Sequence, residues 1–212
     1  MAVLSVVSVA LWDGMSARGV AGGGSAAGSA AGTAGDSADW VAAIGDGSSA
    51  QSATTPTPEG LVYVGEYRNN LYDPETGMSL FWQNNAANLY VGLITPGTGW
   101  LGVGFSARPG KPGANIILGA VADGTVTIQD NYGLTRELHL PDKTSSILAF
   151  GGSEEPGETT LEFVIPLSSG DPQDVTLSAG QTVYVLLAYQ ATRDSFTVEH
   201  TRYSTTQITL DP

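Results

Sequence analysis

The chain has 212 residues, no cysteine and a formal net charge of −13 at pH 7. Without cysteine it forms no disulfide, carries no thiolate nucleophile and holds no metal through cysteine sulfur. With two lysines and this acidic balance, it offers no basic surface to the phosphate backbone of a nucleic acid or to an anionic membrane.

The amino-terminal part is typical of a leader followed by a linker. Residues 2–12 are apolar over about the length of a signal-peptide core, which is too short to span a bilayer. The Ala-, Gly- and Ser-rich sequence that follows buries too little apolar area to offset the entropy lost on ordering. We therefore predict an apolar leader and low-complexity linker over residues 1–58 and one folded domain over residues 59–212. The leader indicates a secreted or surface-tethered, extracytoplasmic protein; a leader without a targeting role is the alternative.

Short apolar segments separated by turn residues fill the rest of the chain. Met78, Leu80 and Trp82 share one parity, which is typical of a strand with one buried face. No window of ten residues shows convincing helical periodicity. Strands are predicted at residues 61–64, 78–83, 89–93, 99–106, 114–121, 125–130, 146–150, 159–165, 181–190, 196–201 and 203–210. Strands of this length and spacing predict an all-β domain, either a β-sandwich or a small barrel.

The central stretch, residues 99–130, combines three of these strands. Asp123-Gly124 stands between two apolar runs and predicts a tight β-hairpin. Glycines inside the strands indicate bulges or places where another group approaches the backbone closely. A Pro/Gly-rich loop at residues 107–113 connects the first two strands, and we expect ligand chemistry there.

Three nitrogen-bearing side chains are candidates for a site. His200 shares its parity with Phe196 and Val198, so we expect its imidazole to point inward or into the mouth of a cavity, to a core hydrogen bond or to a ligand. His139 stands close to a proline in an apparent loop and is interpreted as solvated; a place in the lining of a pocket is the alternative. Lys111 lies in the Pro/Gly-rich loop, where a solvated turn lysine and an amine held over a cavity are both consistent with the sequence.

No pattern typical of catalysis is found in the sequence. It holds no nucleophile elbow, no HExxH pair, no phosphate-binding loop and no calcium-loop motif. The acidic pairs Glu154-Glu155 and Asp171/Asp174 are interpreted as surface charge. We therefore predict that the chain is not an enzyme by itself. Most aromatic side chains are assigned to the core, with one or two left for a stacking platform or a pocket wall: Trp82, Trp100, Tyr132, Phe196 and Tyr203.

Four segments in a fixed order resemble the DOMON domain family. They are Gly-Trp-Leu-Gly-Val-Gly-Phe-Ser at residues 99–106, Gly-Ala-Asn-Ile-Ile-Leu-Gly at 113–119, Asp-Gly-Thr-Val at 123–126 and Glu-His-Thr-Arg-Tyr at 199–203. The resemblance covers about residues 60–210 and looks closest to single-domain archaeal and bacterial members, which are related to b-type cytochrome domains. It implies an immunoglobulin-like antiparallel β-sandwich, a pocket for haem b or a sugar, and an extracytoplasmic location.

The resemblance also implies which residues would bind haem. The late histidine that is an axial ligand in haem-binding members falls on His200, and the position of their methionine ligand falls on Lys111. Lysine binds haem iron only as the neutral amine, so its pKa must lie well below about 10. Trp100, Phe105 and Phe196 are the aromatic residues assigned to the haem pocket.

Three functions are consistent with these patterns. The first is a haem b domain for electron transfer, with His200 as one axial ligand, Lys111 as a candidate second ligand, and a redox protein or membrane cytochrome as partner. The second is a module that binds a carbohydrate or another small ligand on the same sandwich. The third is a structural or adhesion domain without a ligand. In each case we expect the folded domain to lie outside the membrane and to bind no nucleic acid.

Overall fold

The computed structural model describes residues 54–212, so the leader and most of the linker expected from the sequence lie outside the described residues. The described part consists of eleven strands in two antiparallel sheets, which confirms the predicted all-β sandwich. Within residues 54–212, no helix is long and apolar enough to cross a membrane.

The two sheets contain five and six strands. In chain order the strands are β1 (Asn69–Asp73), β2 (Met78–Asn84), β3 (Asn88–Pro96), β4 (Leu101–Ser106), β5 (Asn115–Ala122), β6 (Thr125–Gly133), β7 (His139–Pro141), β8 (Ala149–Glu155), β9 (Glu158–Pro166), β10 (Thr182–Tyr189) and β11 (Arg202–Thr209). The five-stranded sheet has the order β1-β2-β3-β9-β8, and the six-stranded sheet has the order β11-β10-β4-β5-β6-β7. The glycine-rich strand β4 therefore lies in the middle of its sheet, between β10 and β5.

Apolar side chains fill the space between the two sheets. Val103 and Phe105 of β4 form one buried cluster with Leu161 and Phe163 of β9, and none of the four is more than 1% exposed. The sheets approach so closely that a β-carbon on Gly119 would lie 2.4 Å from Leu161 Cδ2. Packed side chains occupy the space between the sheets in the described domain, so the inward direction expected for His200 is wrong.

The hairpin between β5 and β6 forms as predicted. Ala122 pairs with Thr125, so Asp123 and Gly124 are the two loop residues, and their φ angles are 48° and 72°. Positive φ at both central positions is the geometry that Asp-Gly favours in a two-residue hairpin. The turn fixes the register of β5 against β6 and thereby the face of the sheet on which each side chain lies.

Two of the expected strands are loops in the structure. Residues 61–64 do not join a ladder, because the N–H groups of Gly60 and Leu61 donate to the carboxylate of Glu162 on the outer face of β9. Residues 196–201 form a turn-rich loop between β10 and β11. This second difference changes the direction of the late histidine, because strand alternation does not apply to a loop.

Candidate functional site

A cavity of about 1100 Å³ lies on the outer face of the six-stranded sheet. Strand alternation places it there, because on β4, β5 and β10 the side chains that do not enter the core point to the opposite face. Most of these outward residues pack with Trp100 into an apolar cluster of their own. The floor residues are Gly102, Gly104, Ile116, Leu118, Leu186 and Ala188.

Gly102 and Gly104 keep the floor flat. A β-carbon on Gly102 would lie 2.5 Å from Leu118 Cδ2, and one on Gly104 would lie 3.1 Å from Leu186 Cδ1. Leucine side chains of the flanking strands therefore lie over the backbone of β4. A residue larger than glycine at either position of β4 would project its own side chain into the cavity. This confirms the predicted close approach to the glycines of β4, and the approaching groups belong to the same sheet.

Three loop segments form the walls of the cavity. They are the β4–β5 loop with Lys111, the β6–β7 hairpin with residues 136–139, and the β10–β11 loop with residues 196–200. Trp100 fixes the third segment, because its indole Nε1 donates to Val198 O at 3.0 Å. The floor is thus part of a hydrogen-bonded sheet, whereas most of the wall consists of connecting loops.

Gly133, the last residue of β6, sets how closely the β4–β5 loop packs. Its O accepts from Gly113 N at 2.8 Å, and its N donates to Ala114 O at 2.9 Å. A β-carbon on Gly133 would lie 1.7 Å from Lys111 O, so a larger residue would displace the loop. The sequence did not reveal this role, because the contact depends on the register of β5 against β6.

His200 lies in the β10–β11 loop and lines the cavity. It is half-buried, and its ring packs against Tyr203 with 4.7 Å between the ring centroids and 51° between the planes. A strand over residues 196–201 would have directed this ring into the core. The loop instead places the imidazole on the outer side of the sheet, where the cavity lies.

Lys111 also lines the cavity, in the wall formed by the β4–β5 loop. Its Nζ donates to the backbone O of Glu137 at 3.0 Å, which links this wall to the β6–β7 hairpin. Burial lowers the pKa of the amine, while the Glu137 carboxylate raises it. The sequence is consistent with a solvated turn lysine or with an amine held over a cavity, and the structure has the amine at the cavity wall.

His139 is a third nitrogen donor at the cavity. It lies on β7, and its Nδ1 is 3.4 Å from Asn131 Oδ1 of β6. Burial lowers the pKa of its imidazole, and the charge of Lys111 lowers it further. The interpretation of His139 as a solvated loop residue is wrong, and the signal was missing because a three-residue strand is too short to show alternation.

Basic groups are concentrated at the cavity of this acidic chain. Both histidines of the sequence line it, and so do Lys111 and Arg136, two of only eight lysines and arginines. Glu137 and Glu199 are the acidic residues in the lining. An apolar floor with basic and metal-binding nitrogen groups in its walls suits a flat, apolar ligand that carries anionic groups at its edge.

The three aromatic residues predicted for the pocket fall on different faces of the sheet. Trp100 and Phe196 line the cavity. Phe105 does not line it, because it is 0% exposed and belongs to the core between the sheets. Strand parity explains this correction: its neighbour Gly104 faces the cavity, so Phe105 faces the other way.

Residues 74–190 match the DOMON domain family. A mouse protein, DBH-like monooxygenase protein 1, is 31% identical over 118 residues, which is 55% of this chain. The matched segment is 19% of that protein, so the chain spans about a fifth of the length of this relative.

Two solved structures are similar to this chain. The cytochrome b domain of pyranose dehydrogenase from Coprinopsis cinerea gives a TM-score of 0.52 at 10% identity, over 66% of this chain and 80% of that one. The cytochrome domain of Myriococcum thermophilum cellobiose dehydrogenase gives 0.49 at 11% identity, over 68% and 88%. At such low identity, the first likeness shows the fold alone. The family match, in contrast, spans more than half of the sequence, and the chain therefore belongs to the DOMON domain family.

Proposed function

We propose that this domain binds haem b in the outer-face cavity and exchanges electrons with a redox partner. The observation that carries the proposal is the convergence of His200, Lys111 and His139 on one cavity with an apolar floor. A solved domain of similar fold is a cytochrome b domain, which supports the proposal as a precedent. The partner is a second redox protein or a membrane cytochrome.

The residues at the cavity fit haem b. A porphyrin is a flat apolar ring with two carboxylates at one edge, and the cavity offers an apolar floor and the guanidinium of Arg136 in its wall. Trp100 and Phe196 would contact the ring, and His200 would bind the iron. When bound, haem supplies one-electron redox chemistry at a potential set in part by its axial ligands.

Lys111 and His139 are the two residues that could hold the iron together with His200. The amine must be neutral to bind iron, and burial moves its pKa in that direction. It must also give up its hydrogen bond to Glu137 O. The ring of His139 favours the neutral form, because burial and the charge of Lys111 both lower its pKa. Separate substitution of the two residues identifies which one binds the iron.

Haem titration of the purified chain tests this proposal. We expect a Soret band in the wild-type protein and α and β bands on reduction. His200→Ala should abolish this spectrum, because it removes the axial imidazole. Lys111→Met should alter the spectrum or the reduction potential if the amine is the second ligand, and His139→Ala should do so if the second imidazole is the ligand.

The controls are built into these variants. His139→Ala removes the same number of atoms as His200→Ala at the same cavity, so a general loss of packing would abolish the spectrum in both variants, whereas loss of the His200 imidazole abolishes it in His200→Ala and leaves at most an altered spectrum in His139→Ala. Haem capture by His200→Ala that equals wild type would overturn the ligand assignment. A wild-type chain that captures no haem would overturn the proposed function.

A carbohydrate is the second candidate ligand, and Tyr203 is the observation that favours it. The residue is 67% exposed beside the cavity, where its ring offers a stacking surface. A glycan array with the haem-free chain tests this function, with Tyr203→Ala as the matched variant. Binding that the variant loses would favour a sugar, and the absence of both haem and glycan binding would leave the structural or adhesion role.

We also propose that the chain carries electrons without catalysing a reaction by itself, and that it works outside the cytoplasm. The nitrogen groups at the cavity support the first statement, because they suit iron binding better than paired acid and base catalysis. The apolar sequence at residues 2–12 supports the second. Fractionation of cells that express the full chain should find it outside the cytoplasm; its recovery in the cytoplasm would contradict this location.

A further inference from the structure

Three aspartates from separate segments meet beside β6 and β7. Asp130 lies on β6, Asp142 follows β7, and Asp174 lies between β9 and β10. One carboxylate oxygen from each lies within 4.8 Å of those from the other two. The sequence shows no calcium-loop motif here, because the fold alone brings these residues together. The interpretation of Asp174 as surface charge is wrong, because both of its carboxylate oxygens are shielded from solvent in the folded protein.

Four oxygens of this cluster are shielded and have no hydrogen-bond partner among residues 54–212: Asp130 Oδ1, Asp142 Oδ2 and both oxygens of Asp174. Asp130 is the most informative, because it is only 4% exposed. Its Oδ2 accepts from Ser146 N at 2.7 Å and from Ser146 Oγ at 2.8 Å. These bonds hold the carboxylate in place and leave Oδ1 without a hydrogen-bond partner. Buried acceptors in native proteins are rarely without a partner, so a partner is expected here.

Within the described residues, no basic side chain compensates the charge of this cluster. The ion pair found in residues 54–212 is elsewhere, between Arg68 and Asp211. Burial raises the pKa of Asp130, and the charges of Asp174 and Asp142 raise it further, whereas the hydrogen bonds from Ser146 lower it. Shielded carboxylates that repel one another are the arrangement that a bound cation relieves.

We propose that Asp130, Asp142 and Asp174 bind one Ca²⁺ ion. Calcium takes about six to eight oxygen ligands at about 2.3–2.6 Å, so two oxygens on one ion lie at most about 5 Å apart. One oxygen from each of the three carboxylates meets this limit, and these three oxygens supply about half of the ligands, with water completing the set. A donor set of oxygens alone selects a hard cation over zinc or copper, and an irregular set of carboxylates suits Ca²⁺ better than octahedral Mg²⁺.

The ion would fix one wall of the cavity. Asp142 N donates to Asp130 O at 2.9 Å, which continues the β6–β7 pairing beyond β7. β7 carries His139 and Pro141, which line the cavity. Clamping Asp130 and Asp142 through one cation therefore holds this hairpin against the sandwich. The calcium site does not depend on haem, and each is tested separately.

Calcium titration of the full, haem-free chain after chelator treatment tests the proposal. We expect saturable binding of one Ca²⁺ by calorimetry, with a dissociation constant between about 10⁻⁵ and 10⁻³ M, and weaker binding of Mg²⁺. The melting temperature should rise with CaCl₂ at an ionic strength held constant with NaCl. Absence of saturable binding and of any such rise would overturn the proposal.

Two variants and a matched control separate a defined site from general acidity. Asp174→Asn and Asp130→Asn should each weaken Ca²⁺ binding by about tenfold or more, because each removes one ligand charge. Asp171→Asn removes the same charge from the same loop but outside the three-residue cluster, and it should weaken Ca²⁺ binding much less, because Asp171 acts on Asp142 through its charge and supplies no oxygen to the cluster. Circular dichroism confirms that each variant folds. Equal losses in Asp171→Asn and Asp174→Asn would show nonspecific attraction and contradict the site.

Discussion

Glu162 is a carboxylic acid that lies fully buried on the outer face of β9. Residues 57–67 cross this face, and three donors from that segment reach the carboxylate: Tyr67 Oη at 2.8 Å, Gly60 N at 2.8 Å and Leu61 N at 3.0 Å. Burial raises the pKa of Glu162 to about 7, although these hydrogen bonds lower it. The group therefore titrates near neutral pH in the folded protein.

We expect the folded state to lose stability as the pH rises from about 5 to about 8. The pKa of Glu162 is about 7 in the folded protein against 4.5 for an ordinary glutamate, so the folded state binds the proton more tightly and is favoured at low pH. At about 1.4 kcal/mol per pK unit, the free energy of unfolding should fall by roughly 2 to 3 kcal/mol through this group. Urea denaturation at both pH values measures the change.

Glu162→Gln is the matched control for this pH dependence. The amide keeps one oxygen that can accept from the N–H groups of Gly60 and Leu61, its NH2 group can donate to Tyr67 Oη, and it does not titrate. The difference in unfolding free energy between wild type and the variant should therefore shrink or reverse as the pH rises, and this comparison removes the contribution of every other carboxylate. A difference that stays constant with pH would contradict the assignment.

At the scale of the elements, the strand positions that could be predicted are those where apolar and polar residues alternate along a single strand. β2, β4, β5 and β9 lie where the sequence placed them, because one face of each enters the core. β8 begins at Ala149 rather than at Ser146, because Ser146 donates its N–H and hydroxyl to Asp130 instead of a strand partner. β1 and β7 are edge strands without an alternating apolar face, which is why they were not predicted.

The contact between β6 and the β4–β5 loop leads to a prediction about glycine. Gly133→Ala should destabilise the fold by about 1–3 kcal/mol and weaken haem capture, because its β-carbon would meet the rigid backbone O of Lys111. Urea denaturation and haem titration measure the two effects. Gly104→Ala is the control for the stability measurement alone, because Gly104 belongs to the cavity floor; its β-carbon would meet only the side chains of Leu186 and Ile116, which can shift. Equal losses in both variants would contradict the specific role of Gly133.

At the scale of the whole molecule, the folded unit begins before the family match. The match starts at residue 74, yet residues 57–67 cover Glu162, and Val62 and Tyr67 pack so closely that a β-carbon on Gly92 would lie 3.0 Å and 3.3 Å from them. A chain that starts at residue 68 keeps all eleven strands but loses this cover.

We expect this shortened chain to be less stable than one that starts at residue 54. Loss of the apolar packing of Val62 and Tyr67 should lower the free energy of unfolding by about 1–3 kcal/mol, and exposure of Glu162 to water should offset part of this loss at neutral pH, because burial disfavours its ionised form. The urea midpoint of each chain measures the difference. Equal midpoints would show that the covering segment contributes nothing to stability.

Sites that depend on sheet order could be predicted only in part. His200 and Lys111 were identified as candidates from strand parity and loop position, and the family resemblance assigned them to haem. The face of the sandwich on which they meet depends on which side of β4 is free of the other sheet. His139 joins them through strand pairing that no local pattern shows. Asp130, Asp142 and Asp174 are brought together in the same way, by the pairing of β6 with β7 and by the loop between β9 and β10.

β4 serves the core with one face and the cavity with the other. Val103 and Phe105 anchor it in the interior, while Gly102 and Gly104 are part of the floor. Much of the wall, in contrast, belongs to connections that tolerate sequence change far better than a packed interior does. Exchange of the three wall segments can therefore change which ligand binds, while the sheet that carries them stays the same. Redesign of this chain for a different chromophore should begin with those segments and leave β4 as it is.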